Sequence, residues 1–303
     1  MNELKKQEFV KDGFVWTDSV FDVKKCIDLY HEALAYVNVE DMWRSEEDYD
    51  REPFVAKTPE NPRGGSNPGK GVANLLERCD SRFIEENEVF KNSVESIAGK
   101  DYEILLKKFV CGVPSHWIPE WLKARMLASY FDNLNAYLKF PYRDITYFRG
   151  IDYHMDIMDR VNEKADIITV YVYLQDVNKD MSPLHVIRRS HRYCRTIFPH
   201  FRQNETATTI EFGENKDNCE LFDKQILLGK CGSMYIWTAL TMHGTQNTKS
   251  EGDPRISLRY TIRKNPNNRD HCLIDEFLKK NELVDFRNIK NNSAVILEET
   301  KRK

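Results

Sequence analysis

The sequence has no CxxC pair, no long apolar run and no excess of either charge. Its seven cysteines, at 26, 79, 111, 194, 219, 231 and 272, form an odd set without close pairs. That argues against a disulfide framework or a cysteine-rich zinc site and fits free thiols in a reducing compartment. The longest conspicuous apolar run, Ile167 to Leu174, is eight residues, far short of the roughly 18 that a membrane helix needs. Lys plus Arg total 45 against 48 Asp plus Glu, a formal charge of −3. This gives no electrostatic footing on nucleic acid or an anionic membrane. The opening MNELKKQEFVKDGF carries no apolar stretch after its charges, so the expectation is a cytoplasmic protein. What is present is ordinary: 41% hydrophobic and 31% charged residues in a chain of 303. That is the mix of a globular protein, with room for one large domain or two small ones.

The first third reads as helical. Val23, Cys26, Ile27, Tyr30, Leu34 and Val37 recur at helical spacing behind Asp18 or Ser19 as a cap. A second helix is expected over about 81–98, and a third from near Pro119, a residue suited to a first turn. Between the first two lies EPFVAKTPENPRGGSNPGKG, with four of the 11 prolines and four of the 13 glycines. Such a segment is either a plain surface loop or a lid over a site. From about residue 145 alternation replaces helical spacing. DITYFRGIDYHMD, IITVYVYLQDV, SPLHVIRRS, SMYIWTAL and RISLRYTIRK read as strands without intervening helices. An antiparallel barrel or sandwich backed by helices fits this order, and a doubly wound parallel sheet does not. The final EETKRK reads as a frayed tail.

Chemistry concentrates in two places. His154-Met155-Asp156 on a strand would present an imidazole and a carboxylate to one side, with Met155 turned away. His243 follows the strand-like SMYIWT. Two His and one carboxylate on one side of a metal leave three positions open, the arrangement of non-haem Fe(II) oxygenases. A hydrogen-bonded His–Asp pair would account equally for the first motif, and a turn histidine for the second. After His243 comes a strand on which Arg255, Ser257, Arg259, Thr261 and Arg263 share one face, and Ile256, Leu258, Tyr260 and Ile262 the other. A buried arginine on such a face needs an anion, and its planar fork matches a carboxylate. A half-exposed strand would leave the same arginines in water.

The order HxD, a long gap, His, then Arg at +12 resembles the phytanoyl-CoA dioxygenase-like branch of the Fe(II)/2-oxoglutarate oxygenases. QEFVKDGFVWTDSVFDVKKCIDLYHEAL resembles that family's opening, ITVYVYLQDV with SPLHVIRRSHR its central strand pair, and CGSMYIWTALTMHGTQNT the strand that delivers the second His. The resemblance implies an α+β, mainly β fold, a double-stranded β-helix (jelly roll, cupin-like) core with supporting N-terminal helices. Mapped on the chain, 1–303 would be a single oxygenase domain. About 1–140 would be helical support with a lid at 51–71, about 141–270 the jelly roll, and 271–303 a C-terminal extension. It implies Fe(II) held by His154, Asp156 and His243, and 2-oxoglutarate held by Arg255 with Thr169 and Ser257. It also implies O2 as oxidant, ascorbate as a possible reductant, and release of succinate and CO2. Asp156 argues against a halogenase, which would carry Gly or Ala there.

Two positions depart from the family. Arg188-Arg189 precede Ser190-His191 where Pro-Gly is usual, and Ser182 stands for the glycine before Pro-Leu. The expected partner is a small polar metabolite, with no nucleic acid and no membrane, and the oligomeric state stays open. Arg188, Arg189 and Arg192 could meet an anionic group or simply face solvent. Two other classes stay in view: a non-catalytic jelly-roll binding protein, and a zinc hydrolase using the same His-Asp-His set with a bound water.

Overall fold

The computed structural model describes residues 1–36, 42–51, 79–127, 132–134, 137–139, 145–150, 153–156, 165–193, 201–213, 217, 219–245, 249 and 251–281. The chain opens with α1 (Glu3–Asp12), whose N-terminus is capped by the Asn2 side chain accepting from the Lys5 N–H. Gly13 stops the helix at φ +79° and turns it into β1 (Phe14–Thr17). A side chain at Gly13 would be strained by that φ and would collide with the His191 ring. Helix α2 (Val23–Leu34) starts at Asp22, which accepts from the Lys25 N–H, and buries Cys26, Leu29, Tyr30 and Ala33. After α3 (Glu46–Arg51) the next described helices are α4 (Arg82–Glu85) and α5 (Glu88–Ala98). The single helix expected over 81–98 is therefore two. Asn87 breaks it by accepting from the Val89 and Phe90 N–H groups, which makes it the N-cap of α5.

The N-terminal region is less helical than its periodicity suggests, because it also supplies β1 and, just past the first third, β2 (Glu103–Gly112). Then follow α6 (Glu120–Leu127), β3 (Asp132–Asn133), β4 (Thr146–Gly150), β5 (Ile167–Tyr173), β6 (Leu184–Ile187) and β7 (Phe201–Gln203). The chain continues through β8 (Thr209–Gly213), β9 (Cys219–Leu227), β10 (Met234–Thr238), β11 (His243–Thr245), β12 (Arg255–Arg263) and α7 (Leu273–Asn281). The larger sheet has the order β1-β10-β5-β12-β2-β4-β3, and the smaller β11-β6-β9-β8-β7. All described pairs are antiparallel except β2 with β4.

From β4 onward the chain alternates between the sheets. It passes from β4 in the large sheet to a bridge at His154 on the edge of the small one, back to β5, across to β6 through β9, back to β10, across to β11, and back to β12. That winding is a double-stranded β-helix, the jelly roll expected from the sequence.

The two faces of the large sheet differ in chemistry. Ile256, Leu258, Tyr260 and Ile262 of β12 join Ile168, Val170 and Val172 of β5 in one core with Phe90, Val94 and Ile97 of α5. Burying this face is what docks the helices. The opposite face carries the other residues of the same strands. Cross-strand pairing aligns Ser257 with Tyr173, Arg259 with Tyr171 and Thr261 with Thr169. Tyr235 and Trp237 of β10 pair with Tyr171 and Thr169. The alternation expected for β12 is thus present, with its polar face turned toward the small sheet's Leu184, Val186 and Leu227.

The loop that departs from the family pattern keeps its course at a conformational cost. Ser182 and Arg189, where the resembled family has glycines, have φ of +54° and +68°. The arginines around it are structural. Arg188 donates to Asp12 at 2.6 Å and to Gln225 at 3.1 Å, and lies over the Phe14 ring. Arg189 pairs with Asp223, and Arg192 donates to the Lys11 carbonyl. Together they tie α1 to the small sheet. The six cysteines among the described residues are free thiols. Among the described residues no helix is long and apolar enough to cross a membrane. The expected lid at 51–71 lies, beyond Arg51, outside the described residues, as do 282–303 of the C-terminal extension.

Candidate metal centre

His154 and His243 meet backbone to backbone. Each donates its N–H to the other's carbonyl at 2.9 Å, an isolated antiparallel bridge at the start of β11. Asp156 comes next to them by a route the sequence pattern did not show. Only His154 sits in a bridge; two residues later the chain has entered a 3-10 turn, and Asp156 projects from that turn rather than from a shared strand face. Met155 does turn away, into an apolar cluster with Ile187, Phe222 and Met242.

The result is one cluster. Ligand atoms of His154, Asp156 and His243 all lie within 4.8 Å of one another. Asp156 Oδ1 is 3.6 Å from His243 Nε2 and 4.0 Å from His154 Nε2. The His243 ring is set by its other nitrogen, since Nδ1 lies 3.0 Å from the Thr241 carbonyl. An Nδ1–H donated there leaves the Nε2 lone pair facing the cluster.

Asp156 is held on both oxygens. Oδ2 accepts from Thr169 Oγ1 at 2.5 Å and from Trp237 Nε1 at 3.1 Å, while Oδ1 accepts from Arg259 at 2.5 Å. Burial alone would raise this carboxyl. Arg259, His243, His154 and the Thr169 hydroxyl outweigh it and hold the group well below the usual carboxylate range. Burial pushes the His243 imidazole down, against the pull of Asp156 and the Thr241 carbonyl. Both shifts favour the states that bind a metal, an ionised carboxylate and a neutral imidazole.

The turn that carries His243 is braced from a distance. Ser190 Oγ accepts from the Met242 N–H at 2.8 Å and donates to the Ile187 carbonyl. The Gly13 carbonyl accepts from the Thr241 hydroxyl at 2.7 Å and from the Thr238 N–H at 3.1 Å. The close-packed glycine after α1 and the serine of the Ser-His pair therefore both serve the second histidine.

Arg255 lies farther along the same face of β12. It is 1% exposed, yet among the described residues no carboxylate or carbonyl accepts from it: Nε and both terminal nitrogens lack a hydrogen-bond partner of good geometry, with only the Tyr173 hydroxyl alongside. Its guanidinium is framed by the rings of Phe148, Tyr171 and Tyr173, at 5.1, 5.8 and 5.9 Å. The buried Ser257 Oγ and Tyr171 hydroxyl are also without partners. A buried cation with no acceptor is costly to leave unmatched, and a carboxylate is the group its fork fits. The donor set at one end and this orphaned arginine at the other fit a metal and a short dicarboxylate.

Of the residues singled out from sequence, His154, Asp156 and His243 come together in one cluster. Thr169 touches it through Asp156. Arg255 and Ser257 lie apart from it on the same sheet face. Trp237, Tyr171 and Ser190 carry no assigned role in the sequence reading, and Arg259 stands there as the second arginine on the strand face of Arg255, with Arg255 preferred for the distal carboxylate. The alternation of SMYIWT and RISLRYTIR did put Trp237 and Arg259 on faces compatible with their places, and nothing in the sequence joined either to Asp156.

Fold and cluster define a double-stranded β-helix with a His, carboxylate, His centre between its two sheets. No family profile and no curated protein sequence matches the chain. Solved structures with a similar chain course include SnoN, a non-haem α-ketoglutarate-dependent epimerase from nogalamycin biosynthesis. It is 14% identical over 86% of this chain and 82% of its own, with a TM-score of 0.49. EvdO2 from Micromonospora carbonacea var. aurantiaca is 12% identical over 89% and 94%, also at 0.49. The carbocyclase SnoK from nogalamycin biosynthesis is 10% identical over 87% and 84%, at 0.48.

Proposed function

We propose that the protein is an Fe(II)- and 2-oxoglutarate-dependent oxygenase that hydroxylates a small polar metabolite at an unactivated C–H bond, the whole chain acting as one oxygenase unit. The observation that carries this reading is the pairing of a His154–Asp156–His243 cluster with a buried, partnerless Arg255 on the adjoining strand face. A zinc hydrolase would need the cluster but has no use for the arginine. A binding protein would need the arginine but not the cluster.

Iron and cosubstrate, when bound, supply the activation of O2, with succinate and CO2 released. The residues of this chain do the positioning. His154, Asp156 and His243 hold the metal. Thr169 and Trp237 keep Asp156 Oδ2 occupied so that Oδ1 faces the two imidazoles. Arg255 and Ser257, with Tyr171, receive the distal carboxylate. The aromatic walls of Phe148, Tyr171, Tyr173 and Trp237 keep bulk water away from that end. Thr169 acts on the site through Asp156 and needs no direct contact with the cosubstrate.

The test is turnover. Anaerobically loaded Fe(II) protein is expected to convert 2-oxoglutarate to succinate once O2 is admitted, faster with the right metabolite present and sustained by ascorbate. Binding of 2-oxoglutarate without succinate would move the protein to the binding class. Ester or amide hydrolysis by the zinc form, with no dependence on 2-oxoglutarate, would make it a hydrolase.

A further inference from the structure

Arg259 is the one arginine of β12 in direct contact with the metal cluster. Its terminal nitrogen donates at 2.5 Å to Asp156 Oδ1, the oxygen that faces both imidazoles. Its Nε, on the same guanidinium, has no partner although it is buried. Arg259 is also in line with Arg255. Both project from one face of one strand, four residues or about 13 Å apart, with Ser257 between them. Lys108, the neighbour of Arg259 on β2, adds a second cation, itself buried, to this end. The strand thus carries two guanidinium groups on backbone positions about 13 Å apart, room for a five-carbon dicarboxylate with a hydrogen bond of about 3 Å at each end, one of them at the metal cluster.

We propose that Arg259 binds the metal-end carboxylate of the 2-oxo acid, so that the cosubstrate lies along β12 between two arginines, its C1 carboxylate at Arg259 and its distal carboxylate at Arg255. This rests on the oxygenase reading above and assigns the second anchor. A carboxylate on the metal is a neighbour of Asp156 Oδ1, the atom Arg259 already reaches. The free Nε gives the guanidinium an unused donor for it, and a planar fork can serve two carboxylates side by side. A substrate anion is the competing occupant. It is disfavoured because Arg259 stands on the wall shared with Arg255, alongside the cosubstrate's path.

The experiment separates the two ends with two probes. 2-Oxoglutarate has both carboxylates, and 2-oxobutanoate has only the one beside the keto group. Each is titrated anaerobically into the Fe(II) protein and followed by the visible band that forms when a 2-oxo acid chelates iron. Arg259→Gln is expected to weaken both probes by about ten- to a hundredfold, the range for hydrogen bonds to charged groups. Arg255→Gln is expected to weaken 2-oxoglutarate comparably and leave 2-oxobutanoate within about twofold. Arg259→Lys, which keeps the charge without the fork, is expected to fall between Gln and wild type and serves if the Gln variant folds poorly. Both probes binding to Arg259→Gln as to wild type overturns the assignment while leaving the oxygenase reading intact. Wild-type protein that takes up iron but binds neither probe overturns the oxygenase reading and this assignment with it.

Discussion

The two ends of the β12 inner face are built on opposite terms. Near the metal cluster the polar atoms are engaged, Arg259 Nε excepted: Asp156 accepts three side-chain hydrogen bonds, and His243 is fixed by Thr241. Toward Arg255 they are not: three guanidinium nitrogens, the Ser257 hydroxyl and the Tyr171 hydroxyl are all buried without partners. One end is satisfied within the protein but for a single guanidinium nitrogen. The other is complementary to something absent from the sequence. Unmatched buried polar and charged groups cost stability, so the Arg255 end weighs against the fold.

That contrast predicts opposite signs for mutations at the two ends. Asp156→Ala is expected to give the largest effect. It removes the carboxylate that Arg259, Thr169 and Trp237 share, costs about 3–5 kcal/mol as a broken buried pair, and abolishes iron-dependent succinate formation. Urea unfolding and a succinate assay read the two losses, and normal turnover by this variant would remove Asp156 from the site. Arg255→Met, at the other end, is expected to raise the unfolding free energy of the ligand-free protein by about 1–4 kcal/mol, because an apolar chain replaces an unpaired buried charge. The same variant should lose the thermal stabilisation that 2-oxoglutarate confers on wild type. Destabilisation by Arg255→Met would show that the distal end is paired after all and break the comparison.

Two smaller effects lie outside both ends and calibrate them. His185, behind the small sheet, is pushed down from 6.5 to about 4, by burial first and then by Lys224, against the opposing Glu205. Its folded pKa lies below its unfolded one, so the unfolded chain binds the extra proton between those values. Stability is therefore expected to fall as pH drops from about 6.5 toward 4, by up to about 3 kcal/mol. His185→Leu should flatten that slope, and an unchanged slope would place its origin elsewhere. Arg189→Gly, finally, relieves a non-glycine φ of +68° and gives up only an exposed pair with Asp223. A gain of about 1 kcal/mol in urea unfolding is expected, and a loss would mean the pair outweighs the strain.

Much of this site was legible because its parts obey simple periods. The two-residue alternation of RISLRYTIR placed Arg255, Ser257 and Arg259 on one face, and the structure keeps them there. His243 followed a strand pattern that is indeed β10. What was not legible depended on contacts remote in sequence or on turns. Asp156 joins His154 through a 3-10 turn, not through strand alternation. Ser190 and Gly13 brace the His243 turn from 52 and 228 residues away. Strand β2 is not marked in the sequence because Lys107 and Lys108 interrupt its apolar run. The lysines belong there: Lys107 pairs with Glu85 of α4, and Lys108 stands beside Arg259.

The bridge between His154 and His243 joins residues 89 positions apart. Pairings this distant form late, after loop closure has brought the ends of a long chain segment together. During synthesis a nascent chain emerging from the ribosome would expose His154 and Asp156 well before residue 243 exists. The centre therefore cannot preassemble on a fragment. It arises when the winding between the sheets closes, so on the proposed assignment metal retention would be a readout of finished folding: a chain arrested short of β11 has two of the three clustered side chains and no bridge to hold them.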